Sequence, residues 1–172
     1  MQAVLCGAFL IPLCAGIYLA AGSTLRSMHA RQVSRELASM YSQGIDFANP
    51  TNKSVARQLL ESADERGVVV LSRLKTVEEA DCAATPGDCA NRGLAVIVQR
   101  FVIGEADLRP SSLGMPRSID PATGAVLNWR NDDSARVADA QVSLKPGESA
   151  YAVETYIVGP DERLGVYARS LY

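Results

Sequence analysis

The stretch MQAVLCGAFLIPLCAGIYLAAGSTL, residues 1–25, decides the fold, because none of its side chains carries a charge. The first charged residue of the chain is Arg26. About 20 apolar residues cross the hydrocarbon core of a bilayer as a helix, whose backbone hydrogen bonds are satisfied internally. Residues 1–25 are therefore predicted to form a transmembrane helix. A cleaved secretory signal is the alternative, since Ala20-Ala21-Gly22 weakly resembles a cleavage site.

A helical pattern continues beyond this apolar segment, which favours a retained helix over a cleaved signal. Apolar residues recur at roughly helical spacing as Leu25, Met28, Val33, Leu37, Met40 and Tyr41. One continuous helix is predicted from about residue 2 to about residue 43, ended by Gly44. Its second half would be an amphipathic stalk that packs on the soluble part of the chain. A second helix is predicted to begin with Thr51 or Asn52 as its cap and to run to about Glu65.

Four later stretches are rich in β-branched and aromatic residues and predict strands, at residues 68–74, 94–103, 150–158 and 164–171. A turn at Pro160-Asp161 predicts that the last two strands are antiparallel neighbours. Residues 104–139 form a long excursion, and loops of this length are usually functional or disordered. The predicted fold class is α+β, with a long N-terminal helix, a second helix and an antiparallel sheet of about four strands. Residues 26–172 would form the stalk and one soluble domain.

Two cysteines bear on the cellular compartment. Cys82 and Cys89 flank a Pro86-Gly87 turn signal, so their sulfur atoms can meet in a disulfide. Disulfides persist in oxidising compartments, which favours an extracytoplasmic domain. Two free thiols are the alternative, and the spacing fits neither a CxxC redox motif nor a zinc site.

The distribution of basic residues instead favours a cytoplasmic domain. Arg26, Arg31 and Arg35 follow the apolar segment, and no lysine or arginine precedes it. The positive-inside rule would then place the domain in the cytoplasm. A basic leader that is removed or missing from the sequence would reconcile the arginines with an extracytoplasmic domain.

Composition disfavours several classes of function. A net charge of -2 and sparse aromatic residues predict no nucleic-acid partner. The only histidine is His29, on the stalk, which excludes Ser-His-Asp and Cys-His sites and His-ligated metals from the domain. The chain is predicted to be no enzyme and to hold no cofactor.

The remaining polar candidates are interpreted as solvated or structural residues rather than as catalytic or metal-binding ones. The acidic pairs Glu78-Glu79, Asp132-Asp133 and Asp161-Glu162 lie in turn-like stretches typical of solvated loops. A calcium ligand set of Asn128, Asn131, Asp132 and Asp133 lacks the DxDxDG spacing. Glu154, in the middle of a predicted strand, is interpreted as part of a solvated face. Trp129 is interpreted as a lid on the core rather than a contact residue.

Three segments carry a family resemblance: residues 8–13 (AFLIPL), 35–47 (RELASMYSQGIDF) and 148–156 (ESAYAVETY). They resemble the TadE-like pseudopilins, minor components of the tight-adherence (Tad/Flp) branch of type IV pili. The resemblance implies processing by a prepilin peptidase, insertion into the inner membrane and assembly with other pilins. Leu5 and Cys6 stand where that family has an acidic residue, and its basic leader is not seen.

The resemblance implies a structural subunit of a cell-surface filament for adhesion or secretion, assembled with other pilins or with itself. Shape would then matter in the apolar helix, because lipid provides no hydrophobic drive for helices to associate. Small residues would allow close approach and a proline would set a bend, at Gly7, Ala8, Phe9, Pro12, Ala15, Gly16 and Ala20. A membrane-anchored extracytoplasmic binding module unrelated to pili is the alternative.

Overall fold

The computed structural model of the chain describes residues 2–60, 66–83, 89–139, 142–159 and 165–172, with the backbone alone for residues 2–9. The first helix, α1, spans Gln2–Ser42 without interruption, as predicted. Gly44 ends it at φ 86°, a conformation that glycine adopts without strain. The N–H groups of Gly44 and Ile45 donate to the carbonyls of Tyr41 and Met40, both at 3.1 Å. These two bonds satisfy carbonyls that the helix end would otherwise leave unpaired.

The second helix, α2, spans Pro50–Leu60. Its cap is Asn49 rather than the predicted Thr51 or Asn52, because the Asn49 side chain accepts a hydrogen bond from the Thr51 N–H at 2.9 Å. Pro50 suits the first helical position, where its missing N–H costs no hydrogen bond. The predicted continuation to Glu65 lies outside the described residues.

Four strands form one sheet: β1 (Arg66–Thr76), β2 (Ala95–Gly104), β3 (Ser149–Val158) and β4 (Gly165–Leu171). The order is β2-β1-β3-β4, and all neighbours are antiparallel. The predicted α+β fold is therefore confirmed, including the antiparallel pairing of the last two strands; residues 160–164, which join them, are outside the description. A short helix, α3 (Glu79–Ala83), and a 3-10 turn at Asp133–Ala135 were not predicted.

The sheet has two covered faces, which we call the helix face and the coil face. On the helix face, α1 and α2 cover an apolar core built from Val33, Leu37, Tyr41, Phe47, Leu60, Val69, Leu71, Phe101, Ile103, Val153 and Ile157. On the coil face lies the long segment that follows β2. Its side chains pack with the sheet in a second core of Leu74, Ile97, Leu113, Val126, Ala135, Val142, Ala150 and Ala152. The predicted long excursion is thus a covering layer of irregular structure.

Candidate functional site

The first half of α1 projects from the domain. Every described side chain from Leu10 to Ala20 is exposed, including Ile11 at 73 % and Tyr18 at 80 %. The helix is long and apolar enough to cross a membrane. Apolar side chains that none of the described residues covers are suited to lipid or to other apolar helices.

The structure places four of the residues predicted for helix assembly on this exposed segment. Pro12, Ala15, Gly16 and Ala20 are all exposed. A Cβ added at Gly16 would meet no heavy atom within 4 Å among the described residues, apart from its own helix backbone and chain neighbours. Gly16 therefore has no packing role within the described subunit. The side chains of Gly7, Ala8 and Phe9 lie outside the description.

The second half of α1 is held firmly in the domain. Val33, Leu37 and Tyr41 are buried on the helix face, as the helical spacing predicted. Buried Ser34 donates a hydrogen bond to the carbonyl of Val153 at 3.0 Å. A single continuous helix thus joins an exposed apolar half to a domain core.

Leu25 and Met28 depart from the predicted stalk pattern. They fit the helical spacing, yet they are 66 % and 64 % exposed. The buried part of α1 begins only at Ala30. At this boundary, a nitrogen of the His29 ring lies 3.0 Å from the carbonyl of Leu59, which ties α1 to the end of α2.

The predicted disulfide between Cys82 and Cys89 is present. Cys82 lies on α3 and is buried in a small cluster with Val77, Val96 and Val98, against which Cys89 also packs. The predicted turn at Pro86-Gly87 lies outside the described residues. The bond supports an extracytoplasmic location for the domain.

Glu154, interpreted from the sequence as part of a solvated strand face, is instead 3 % exposed. Its Oε1 atom accepts hydrogen bonds from the Ser112 N–H at 2.8 Å, the Ser112 hydroxyl at 2.7 Å and the Tyr167 hydroxyl at 2.8 Å. Its Oε2 atom accepts one from the Ser111 hydroxyl. Both carboxylate oxygens are therefore engaged by donors of the protein itself, which compensates the cost of burying the charge.

A buried guanidinium completes this polar cluster. Arg100, on β2, is 5 % exposed and donates to the Ser72 hydroxyl at 3.1 Å and the Ser111 hydroxyl at 3.0 Å, and also to the Gly114 carbonyl. Burial lowers the pKa of Arg100 to about 10, a shift that the Glu154 carboxylate opposes, so the side chain stays charged at neutral pH. Ser111 thus bridges a buried cation and a buried anion.

We call the cluster of Ser72, Arg100, Ser111, Ser112, Glu154 and Tyr167 the latch. Ser111 and Ser112 belong to the coil segment, whereas Ser72, Arg100, Glu154 and Tyr167 lie on the strands of the sheet. Next to it, the Arg109 guanidinium lies over the ring of Tyr167, 4.3 Å from its centroid. Because its polar atoms are paired with one another, the latch holds residues 109–114 against the coil face. Two opposite charges in the middle of apolar strands, Arg100 and Glu154, were the sequence signal for it.

Asp132 and Asp133 have structural partners, whereas Asp161 and Glu162 lie outside the described residues. The Asp132 carboxylate accepts hydrogen bonds from Ser134 N–H and hydroxyl at 2.8 and 2.7 Å, and Asp133 pairs with Arg136 at 2.7 Å. No group of three or more His, Cys, Asp or Glu side chains suited to a metal occurs within the residues that the structure describes. Trp129 is half-buried against the core of the coil face and the disulfide cluster, consistent with a lid on the core.

No protein-family model, curated protein or solved structure matches this chain.

Proposed function

We propose that this protein is a structural subunit that inserts through the apolar half of α1 and assembles with other pilin-like subunits or with copies of itself. The observation that carries the proposal is the continuity of α1. One helix is exposed along its apolar half and buried in the domain along its other half.

Rigid continuity distinguishes an assembly element from a simple anchor. An anchor needs only hydrophobicity, and a flexible link to the domain would serve it equally well. Here Val33, Leu37 and Tyr41 fix the direction of α1 relative to the sheet. Side-by-side packing of apolar helices would therefore also fix the arrangement of the attached domains. The disulfide and the resemblance to TadE-like pseudopilins further support an extracytoplasmic filament subunit that acts in adhesion or secretion.

The decisive variant is Gly16→Leu, examined in cells that produce the full chain. Since a side chain at this position meets nothing within the described subunit, the variant should still insert and form its disulfide. Close approach between helices would be blocked, because lipid-embedded helices associate by close van der Waals fit. Cross-linking through Cys14, an exposed free thiol on the same half of α1, would report the contact.

We expect Gly16→Leu to reduce the yield of cross-linked subunits by about tenfold, equivalent to about 1.4 kcal/mol of association free energy. Leu19→Ile is the matched control, because it preserves bulk on the same exposed segment and should change nothing. If Gly16→Leu inserts normally and cross-links as well as the wild type, α1 is a plain anchor. The binding-module alternative would then be favoured.

A further inference from the structure

Arg26, Arg31 and Arg35 follow the apolar half of α1, at its end nearer the domain. The Arg26 Nε–H donates to the carbonyl of Gly22 at 3.3 Å, so this side chain runs back toward the apolar half. Side chains on a helix generally lean toward its N-terminus. Exposed Arg31 and Arg35 on the same helix therefore also lean toward the surface of the membrane that α1 would cross.

Arg31 and Arg35 lack partners among the residues that the structure describes. Neither forms a hydrogen bond or ion pair with any part of the chain that the structure covers. They stand one helical turn apart, where like charges repel. The acidic residue nearest in sequence, Glu36, accepts a hydrogen bond from Gln32 at 2.8 Å. Two exposed arginines and one exposed glutamate therefore leave an excess of positive charge on this part of α1.

Apolar surface adjoins these charges directly. A shallow groove on α1 is lined by Met28, Arg31, Gln32, Arg35 and Glu36, and Met28 is 64 % exposed. At 1.5 Å per residue, Arg31 lies about 4.5 Å and Arg35 about 10.5 Å along the helix from Met28. The headgroup layer on each side of a bilayer is roughly 5–8 Å thick. Arginine side chains that lean back by several ångströms would reach it from both positions.

We infer that Arg31 and Arg35 bind the headgroups of anionic phospholipids in the leaflet next to the domain, while Leu25 and Met28 lie in the apolar layer beneath. The planar guanidinium is suited to phosphate, which it can bind through two parallel hydrogen bonds. Held at two points one turn apart, α1 would be fixed in depth and rotation before assembly. The inference rests on membrane insertion from the proposed function, and not on pilus assembly.

The test uses the full chain reconstituted in vesicles of phosphatidylcholine and phosphatidylglycerol, with either lipid spin-labelled in turn. The immobilised fraction of each label measures its relative association with the protein. We expect the wild type to prefer phosphatidylglycerol. The preference should fall about fivefold for each arginine removed in Arg31→Gln and Arg35→Gln, and it should weaken with added salt.

The matched control is Arg92→Gln with Arg117→Gln, which removes two exposed charges from loops outside α1 and should preserve the preference. The inference is overturned if the chain that combines Arg31→Gln and Arg35→Gln keeps the wild-type preference for phosphatidylglycerol, or if the control variant loses as much of that preference. It is also overturned if the wild type shows no preference while the α1 variants lose subunit cross-linking, since the arginines would then bind protein. If the protein prefers phosphatidylglycerol but Gly16→Leu cross-links as well as the wild type, the assembly proposal alone is overturned.

Discussion

The helix face and the coil face of the sheet are covered in physically different ways. Helices satisfy most of their own backbone hydrogen bonds, so α1 and α2 pack on the sheet mainly through apolar side chains, to which buried Ser34 adds one hydrogen bond. The irregular coil segment pairs only some of its backbone groups with other backbone groups. The Ser112 N–H is satisfied by Glu154 and the Gly114 carbonyl by Arg100. A sheet covered by irregular chain therefore requires buried polar side chains as well as apolar ones.

The largest expected effect tests the latch on the coil face. Glu154→Ala would leave the Arg100 charge buried without its counter-charge, and would remove the acceptor of four hydrogen bonds. Breaking a buried charge pair in this way costs about 3–5 kcal/mol. Urea unfolding of the full chain in detergent, followed by the fluorescence of Trp129, would measure the loss.

Glu154→Gln is the matched control for this prediction. Its amide oxygen still accepts hydrogen bonds, so its loss of stability should be smaller than that of the alanine variant. A Glu154→Ala protein within 1 kcal/mol of the wild type would mean that the latch adds little, and that the two faces do not differ in energetic character.

A slightly smaller effect is expected from the helix face. Leu71, on β1, is fully buried there, and Leu71→Ala should cost about 3 kcal/mol through lost burial and a residual cavity. Leu127→Ala is the control, since Leu127 is 53 % exposed and its truncation should change stability by less than about 0.5 kcal/mol. Because β1 belongs to both faces, circular dichroism and Trp129 fluorescence should report one shared transition. Separate transitions would show that the faces unfold independently.

The difference between regular helices and irregular coil also explains which features could be predicted from the sequence. The apolar segment, the four strands and the buried positions Val33, Leu37 and Tyr41 follow from local periodicity, which regular elements impose on a chain. The burial of Glu154 could not be predicted, because it depends on a coil segment with no periodicity of its own. Its relation to Arg100 depends on register, since both strands pair with β1 rather than with each other.

The stalk shows a further limit of periodicity. Leu25 and Met28 fit the helical spacing as well as Val33 does, yet they are exposed because the domain covers α1 only from Ala30 onward. Spacing indicates which side of a helix is apolar. It does not indicate whether protein, lipid or water covers that side.

Two tyrosines allow the smallest and most specific comparison. Tyr41, on the helix face, donates to the side-chain oxygen of Gln99 at 3.1 Å, whereas Tyr167 donates to the Glu154 carboxylate on the coil face. Burial raises the pKa of both hydroxyls, and the shift is large for Tyr41. Above about pH 10, tyrosines of the unfolded chain lose their protons while a folded tyrosine with a raised pKa keeps its own. Unfolding is then favoured by about 1.4 kcal/mol per pH unit for each such group.

Tyr41→Phe should therefore make stability fall less steeply with pH between about pH 10 and pH 11 than in the wild type, by up to about 1.4 kcal/mol per pH unit. Tyr167→Phe should reduce the fall of stability with pH less than Tyr41→Phe does, because burial raises the pKa of Tyr167 by less. At neutral pH, Tyr167→Phe should instead have the larger effect and lower the stability more than Tyr41→Phe does. Loss of a bond to a charged acceptor costs about 1.5–3 kcal/mol in Tyr167→Phe, against about 1 kcal/mol for the neutral acceptor of Tyr41. Urea unfolding at pH 7, 10 and 11 would measure the stability of each variant at neutral pH and its fall with rising pH. Parallel pH profiles for the two variants would contradict the difference between the faces.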